Sequence, residues 1–156
     1  MLLNGSEYGT DNCSLMRTLE IVGERWTLLV LREALLGRRR FDDFQRSIGC
    51  ARNVLATRLA TLVEHGILRR EPYREPGSRR RDEYRLTEKG RALSTALAAL
   101  TQWGDRYLAD PAGAPIEVVH RECGDPVRAI LACDRHGELR IRDLALKAGP
   151  GAKRIA

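Results

Sequence analysis

Four residues near the end of the chain have the types and spacing of a metal site. His120 and Cys123 stand two residues apart and are followed by Gly124; Cys133 and His136 stand two residues apart and are followed by Gly137. Two intervening residues let both donors of a pair reach one ion from a tight turn. The glycine permits the bend that turns backbone N–H groups toward the ligand sulfur. Two thiolates and two imidazoles make a tetrahedral set suited to zinc. Four protein donors leave no open coordination position, so such an ion would be structural and not hydrolytic. The bland alternative is a remnant of such a module that holds no metal.

A second group of residues carries charge. Arginines cluster at Arg38-Arg39-Arg40, Arg69-Arg70 and Arg79-Arg80-Arg81, and the chain of 156 residues has a formal net charge of +6. A basic chain favours polyanions, nucleic acid first. One arginine run is usually a solvated surface; three runs within one domain call for a common geometry. Enzyme signatures are missing. There is no Gly-rich phosphate loop, no Gly-x-Ser-x-Gly elbow and no His-Glu-x-x-His. His65 is the one histidine outside the C-terminal set, and the carboxylates mostly sit beside Arg or Lys, as on a solvated face. The expectation is a protein that is not an enzyme.

The elements that must position these residues follow from periodicity. Residues 1–12 are polar and read as a loose arm. Leu15, Leu19 and Val22 mark one helix, and Trp26, Leu29, Val30 and Leu31 a second, with a break near Gly23 and a stop at Gly37. Phe41, Phe44 and Ile48 share one side of a short helix ended by Gly49. Leu55, Leu59 and Leu62 share the inner face of a helix from about Arg52 to His65, closed by Gly66. Residues 67–73 and 82–86 read as strands, joined through Pro76-Gly77 in a hairpin with a basic tip. Thr87 can cap one long helix running to about Leu108, with Leu93, Leu97, Leu100, Gly104 and Tyr107 along a stripe. Residues 110–115 are a linker by composition, and 116–156 form a small extension in which residues 126–132 could be a strand.

Short helix, tight turn, helix, hairpin is an order that places a helix in a DNA major groove. With Leu55, Leu59 and Leu62 inward, Arg52, Asn53, Ala56 and Thr57 face outward at the N-terminal part of that helix. Asn suits adenine, and Thr suits a hydrogen bond or a thymine methyl. Arg58 lies to the side, fitted for either a phosphate or a structural ion pair. Arg38, Arg39 and Arg40, with Arg79, Arg80 and Arg81 of the hairpin, would meet phosphates or the minor groove.

These residues resemble a family. Arg25-Trp26-Thr27-Leu28-Leu29-Val30-Leu31-Arg32, Gly37 to Phe44, Asn53 to Leu59, His65-Gly66-Ile67-Leu68 and Tyr84 to Gly90 look like the HxlR-type (DUF24, MarR-related) winged helix-turn-helix regulators. The resemblance runs from Cys13 to about Tyr107. One departure is Ala51, where many members have a capping serine. The C-terminal set in turn resembles a zinc ribbon with His replacing one Cys of each pair. The regulator resemblance implies a homodimer on a roughly palindromic operator in double-stranded DNA, joined through the N-terminal helix and the long helix after the wing. It also makes Cys13 a candidate redox-sensing thiol, since many members carry a cysteine there; a buried thiol at a dimer helix is the alternative.

The sequence therefore leads to an α+β, mainly α fold. Residues 13–109 are expected to form a winged helix-turn-helix with flanking dimerisation helices, and 116–156 a small ribbon-like extension. The expected function is a sequence-specific DNA-binding transcriptional regulator, read as a repressor, with zinc as the sole candidate cofactor and an effector that the sequence does not name. A redox- or metal-responsive sensor and a protein-interaction module are the alternatives. With no leader and no run of about 18 apolar residues, a cytoplasmic protein without a membrane partner is expected.

Overall fold

Apolar residues three and four apart build the helices of the first half of the chain. In the computed structural model, which describes residues 12–74 and 80–153, these are α1 (Ser14–Val22), α2 (Arg25–Leu35), α3 (Phe41–Ile48) and α4 (Arg52–Glu64). Strand β1 (Leu68–Tyr73) then pairs antiparallel with β2 (Arg81–Leu86), in a register that sets Leu68 opposite Leu86 and Tyr73 opposite Arg81. Arg40, just before α3, makes an antiparallel bridge to Glu83 on the free side of β2. Helices α5 (Glu88–Arg91) and α6 (Ser94–Tyr107) follow, and then the two-residue strands β3 (Ala132–Cys133) and β4 (Gly137–Glu138). This is a winged helix-turn-helix, mainly helical with small antiparallel sheets, as expected. No helix among the described residues is long and apolar enough to cross a membrane.

The described residues divide into two compact units, Thr18–Leu97 and residues 12–17 with 98–153. The first holds the core: Val22, Val30, Leu31, Ala34, Phe44, Cys50, Leu55, Leu59, Leu62, Ile67 and Leu68. Helix α4 contributes Leu55, Leu59 and Leu62, each with no exposed surface, so its opposite side is held outward by the burial of these three. The turn between α3 and α4 is fixed by side chain and backbone together. The Gly49 N–H donates to the Gln45 carbonyl at 2.9 Å, and Gln45 Nε2 donates to the Cys50 carbonyl at 2.8 Å.

One carboxylate contradicts the solvated-face reading. Glu33 is 1% exposed. Its carboxylate accepts hydrogen bonds from Arg32 (2.5 Å), Ser47 Oγ (2.6 Å) and Arg38. Burial pushes its pKa up, but the bonds from Ser47, Arg38 and Arg32 together outweigh that and hold it below the usual glutamate value. The neighbouring arginines that suggested a surface residue are the ones that make its burial tolerable.

The end of α4 is a Schellman closure: Gly66 has φ 66°, Ile67 N–H donates to the Leu62 carbonyl at 2.9 Å, and Gly66 N–H to that of Val63 at 3.0 Å. The strand-to-helix corner docks on it. Thr87 Oγ1 accepts from Gly90 N–H at 3.1 Å and donates to the Gly66 carbonyl at 2.6 Å, while Lys89 Nζ donates to the His65 carbonyl at 2.8 Å. A Cβ at Gly90 would meet the Ile67 carbonyl and Leu86. The single long helix expected from Thr87 to Leu108 is interrupted here. The first turn is held by these tertiary bonds, and Leu93 N–H returns to the Gly90 carbonyl, three residues back; an interior glycine costs a helix about 1 kcal/mol.

In the second unit, Gln102 of α6 brackets one strand-like stretch. Its Nε2 donates to the Val127 carbonyl at 2.7 Å, and its Oε1 accepts from Ala129 N–H at 2.9 Å. Residues 126–132 are not one strand. Pro126 bridges to Val119, and regular pairing resumes only at Ala132. No described residue of this unit is buried.

Candidate nucleic-acid interface

Helix α4 presents Arg52, Asn53, Ala56 and Thr57 on its exposed side. It begins at Arg52 without a side-chain cap, because Ala51 has no oxygen to supply one. Thr57 Oγ1 donates to the Asn53 carbonyl at 2.9 Å, which leaves its lone pairs as acceptors. Arg58 is 27% exposed and faces Glu24 at 3.5 Å.

The arginine runs are not equivalent. Arg38 is taken by buried Glu33. Arg39 is exposed, and its carbonyl accepts from Tyr84 N–H at 2.7 Å, which joins this segment to the wing. The Arg40 guanidinium lies 4.6 Å from the centroid of Tyr73. In the hairpin, Arg69 stands opposite Arg85 and Glu71 opposite Glu83, like against like. One diagonal pair, Arg85 with Glu71 at 2.7 Å, and two pairs along the strands, Arg85 with Glu83 at 2.5 Å and Arg69 with Glu71 at 2.7 Å, relieve the repulsion. The Arg69 hydrogen bond, with Arg85 and Arg39 near, holds the Glu71 carboxyl below its usual range, and the Glu83 bond pushes the Arg85 pKa up. Toward the tip, Arg80 and Arg81 are exposed. Arg79 lies outside the described residues.

Between the start of α4, the start of α3 and the wing lies a groove of about 530 Å³ lined by Arg40, Phe41, Asp42, Arg52, Tyr73 and Arg81, among others. Arg52 sits 4.7 Å from the centroid of Phe41 and 3.3 Å from Asp42 Oδ1; Arg81 Nη1 is 3.6 Å from Asp42 Oδ2. Recognition helix and wing thus meet across one groove lined by arginines, aspartates and aromatic rings.

The C-terminal donors form two pairs. His120 Nδ1 is 3.2 Å from Cys123 Sγ, and Cys133 Sγ is 3.6 Å from His136 Nδ1. Gly124 and Gly137 take the positive φ that their spacing predicted, 76° and 67°. The structure does not bring the pairs together: among the described residues, no three His, Cys, Asp or Glu side chains gather to hold an ion. The donor types fit zinc, but the arrangement of all four does not. Cys13, at the foot of α1, is a half-exposed free thiol.

Residues 21–111 match the HxlR-like helix-turn-helix family. The chain belongs to that family. It is 48% identical over 141 residues to an uncharacterised HTH-type transcriptional regulator of Mycobacterium tuberculosis, covering 90% of this chain and 88% of the other. Among solved structures it is similar to PA1607, described as a candidate transcription factor, with a TM-score of 0.78 and 38% identity over 89% of this chain and 96% of that one. It is also similar to the redox regulator HypR in its oxidised form, with a TM-score of 0.56 and 28% identity over 63% of this chain and 100% of that one. This HxlR-like protein is accordingly a transcriptional regulator with a helix-turn-helix DNA-binding fold, not an enzyme.

Sequence reasoning passed over Asp42, Tyr73 and Tyr84 in the HxlR-like groove. Tyr84 also packs edge-on against Phe44, with centroids 6.4 Å apart. An acidic residue beside arginines carries no sequence signal that separates a groove counter-ion from a surface charge. The two tyrosines did alternate with charges along the strands, and that alternation was their one available signal.

Proposed function

We propose that this HxlR-like regulator acts as a homodimer on a palindromic DNA operator and represses by covering a promoter. The observation that carries the DNA reading is the exposed row Arg52, Asn53, Ala56 and Thr57, held outward by three leucines with no exposed surface. In this reading those four meet base edges, and Arg39, Arg40, Arg80 and Arg81 meet phosphates or the minor groove. The dimer reading rests on large apolar side chains without cover: Leu15, Met16 and Leu19 on α1, and Leu100, Trp103 and Tyr107 on α6, all 46–64% exposed.

The test is selection of duplexes from a random-sequence pool. Titrations of the selected duplex and a scrambled one at several salt concentrations then follow, with the mass of the free protein measured by ultracentrifugation. A selected palindrome, bound by two chains per duplex and preferred over the scrambled DNA, is the expected result. Arg80→Ala should weaken binding to both duplexes and lower the salt slope by about one unit. Absence of any preferred duplex would overturn the operator reading in favour of a protein-interaction role. A monomer in solution and on DNA would overturn the dimer.

A second reading is redox control through Cys13. It is supported by that thiol's partial exposure and by the similarity to HypR, a protein described as a redox regulator. Loss of operator binding on mild oxidation, reversed by thiol reductant and absent in Cys13→Ser, would support it; oxidation without effect would remove it.

A further inference from the structure

The groove between α4 and the wing contains one arrangement that DNA binding alone does not require. The Asp42 carboxylate stands between two guanidinium groups, Arg52 at the start of the recognition helix and Arg81 on the wing, at 3.3 and 3.6 Å. All three side chains are well exposed, at 58%, 68% and 61%, so the contact is not a core ion pair and contributes little to stability. The neighbouring acid, Asp43, is already satisfied by Arg46 at 2.5 Å. Asp42 thus spans from one DNA-facing element to the other.

We propose that Asp42 is a specificity-determining residue, an internal stand-in for a phosphate that discounts binding to DNA of the wrong sequence. The inference rests on the DNA-binding function proposed above. Non-specific affinity comes almost wholly from cations that neutralise phosphates. A carboxylate that occupies Arg52 and Arg81 in the free protein must be displaced before either can take a phosphate, and once displaced it repels the backbone beside it. Off the operator, Arg52 has only another phosphate to gain, an exchange of one anion for another. On the operator, Arg52 can trade the carboxylate for a base edge, a contact that the wrong sequence lacks. Asp42 therefore subtracts more from non-specific than from specific binding. Its site suits a retained negative charge, because the second position of α3 lies at the positive end of the helix dipole, and the pairing at 3.3–3.6 Å is loose enough to open.

The experiment compares wild type with Asp42→Asn, binding the selected duplex and its scrambled counterpart over a salt series. Thermal unfolding serves as a folding control, and Arg81→Ala and the Asp42→Asn/Arg81→Ala double variant complete a cycle. Asp42→Asn should tighten binding to the scrambled duplex about five- to tenfold and steepen its salt slope by about one unit, as one further phosphate contact becomes available. Affinity for the selected duplex should change less than about threefold, so the discrimination ratio falls, and the gain should shrink in the Arg81→Ala background. A ratio unchanged in the folded variant, or a loss of affinity for both duplexes, would overturn the proposal while leaving the DNA-binding function standing. Wild type that binds neither duplex would overturn both. Should Asp42→Asn unfold, Asp42→Glu is the second variant: it keeps the charge and should keep the wild-type ratio, and a collapsed ratio there would overturn the proposal.

Discussion

The two units of this chain are held together by different physics. Thr18–Leu97 contains every buried apolar residue among the described residues, packed from four helices and the base of the wing, with a charged staple at Glu33. Residues 12–17 and 98–153 contain none, and Val118, Val119, Val127, Ile130, Leu131 and Leu144 are each 40–55% exposed. A piece of that size ordinarily relies on a metal, a disulfide or a partner surface. Its four potential ligands stand as two pairs, 3.2 and 3.6 Å within each pair, and the described residues gather no third donor around either. The difference teaches that α4 and the wing are displayed by a unit with its own core, whereas the second unit leaves its large apolar side chains exposed.

Changes in the core should separate the units most sharply. Phe44→Ala removes a side chain with no exposed surface that also contacts Tyr84 of the wing, and should cost about 4 kcal/mol, read by denaturant unfolding. A loss under 1 kcal/mol would mean that the first unit does not depend on this core. Next comes Glu33→Gln, expected to cost about 2 kcal/mol at neutral pH. That is less than the full penalty of breaking a buried pair, because Arg32 and Arg38 are each 46% exposed and can rehydrate. The pH dependence has a definite sign. The folded-state pKa of Glu33 is lowered, so its contribution is complete above the ordinary glutamate value of 4.5 and is lost as pH falls below it. The gap between wild type and Glu33→Gln should therefore narrow in acid; a constant gap would show that the carboxylate charge is not what Arg38 and Ser47 hold.

The smallest effect is expected in the second unit. Ile141→Ser, at a residue 83% exposed, and His136→Ala should each shift unfolding free energy by no more than about 0.5 kcal/mol. If His136→Ala instead costs several kcal/mol, and Cys123→Ser costs the same, the four donors act as one. The comparison would then shift from a core against no core to a core against an ion.

Much of the first unit was legible because its signals are local and repeated. Leu55, Leu59 and Leu62 recur at helical spacing and declare the buried side of α4, which names Arg52, Asn53, Ala56 and Thr57 as its outer side without further information. Gly66 and Thr87 declare their caps in the same way, since each acts on backbone groups within a few residues. The break between α5 and α6 was not legible, because the bonds that fix the first turn come from Gly66 and His65, more than twenty residues away in sequence. The C-terminal donors were legible as pairs for the reason that caps were: two residues apart is a local distance.

Periodicity and punctuation by themselves determined the order of elements from α1 to β2 and the face of α4 that looks outward, since apolar residues at helical spacing must be buried together. Which acidic partner each arginine faces in the free protein was decided only by the tertiary structure. Arg38, Arg58 and Arg81 look alike in the chain, yet one is bound by a buried glutamate, one by Glu24 and one by Asp42 across the groove. A charge acts through whatever stands within a few ångströms of it, and for these residues that neighbour is supplied by another element of the fold.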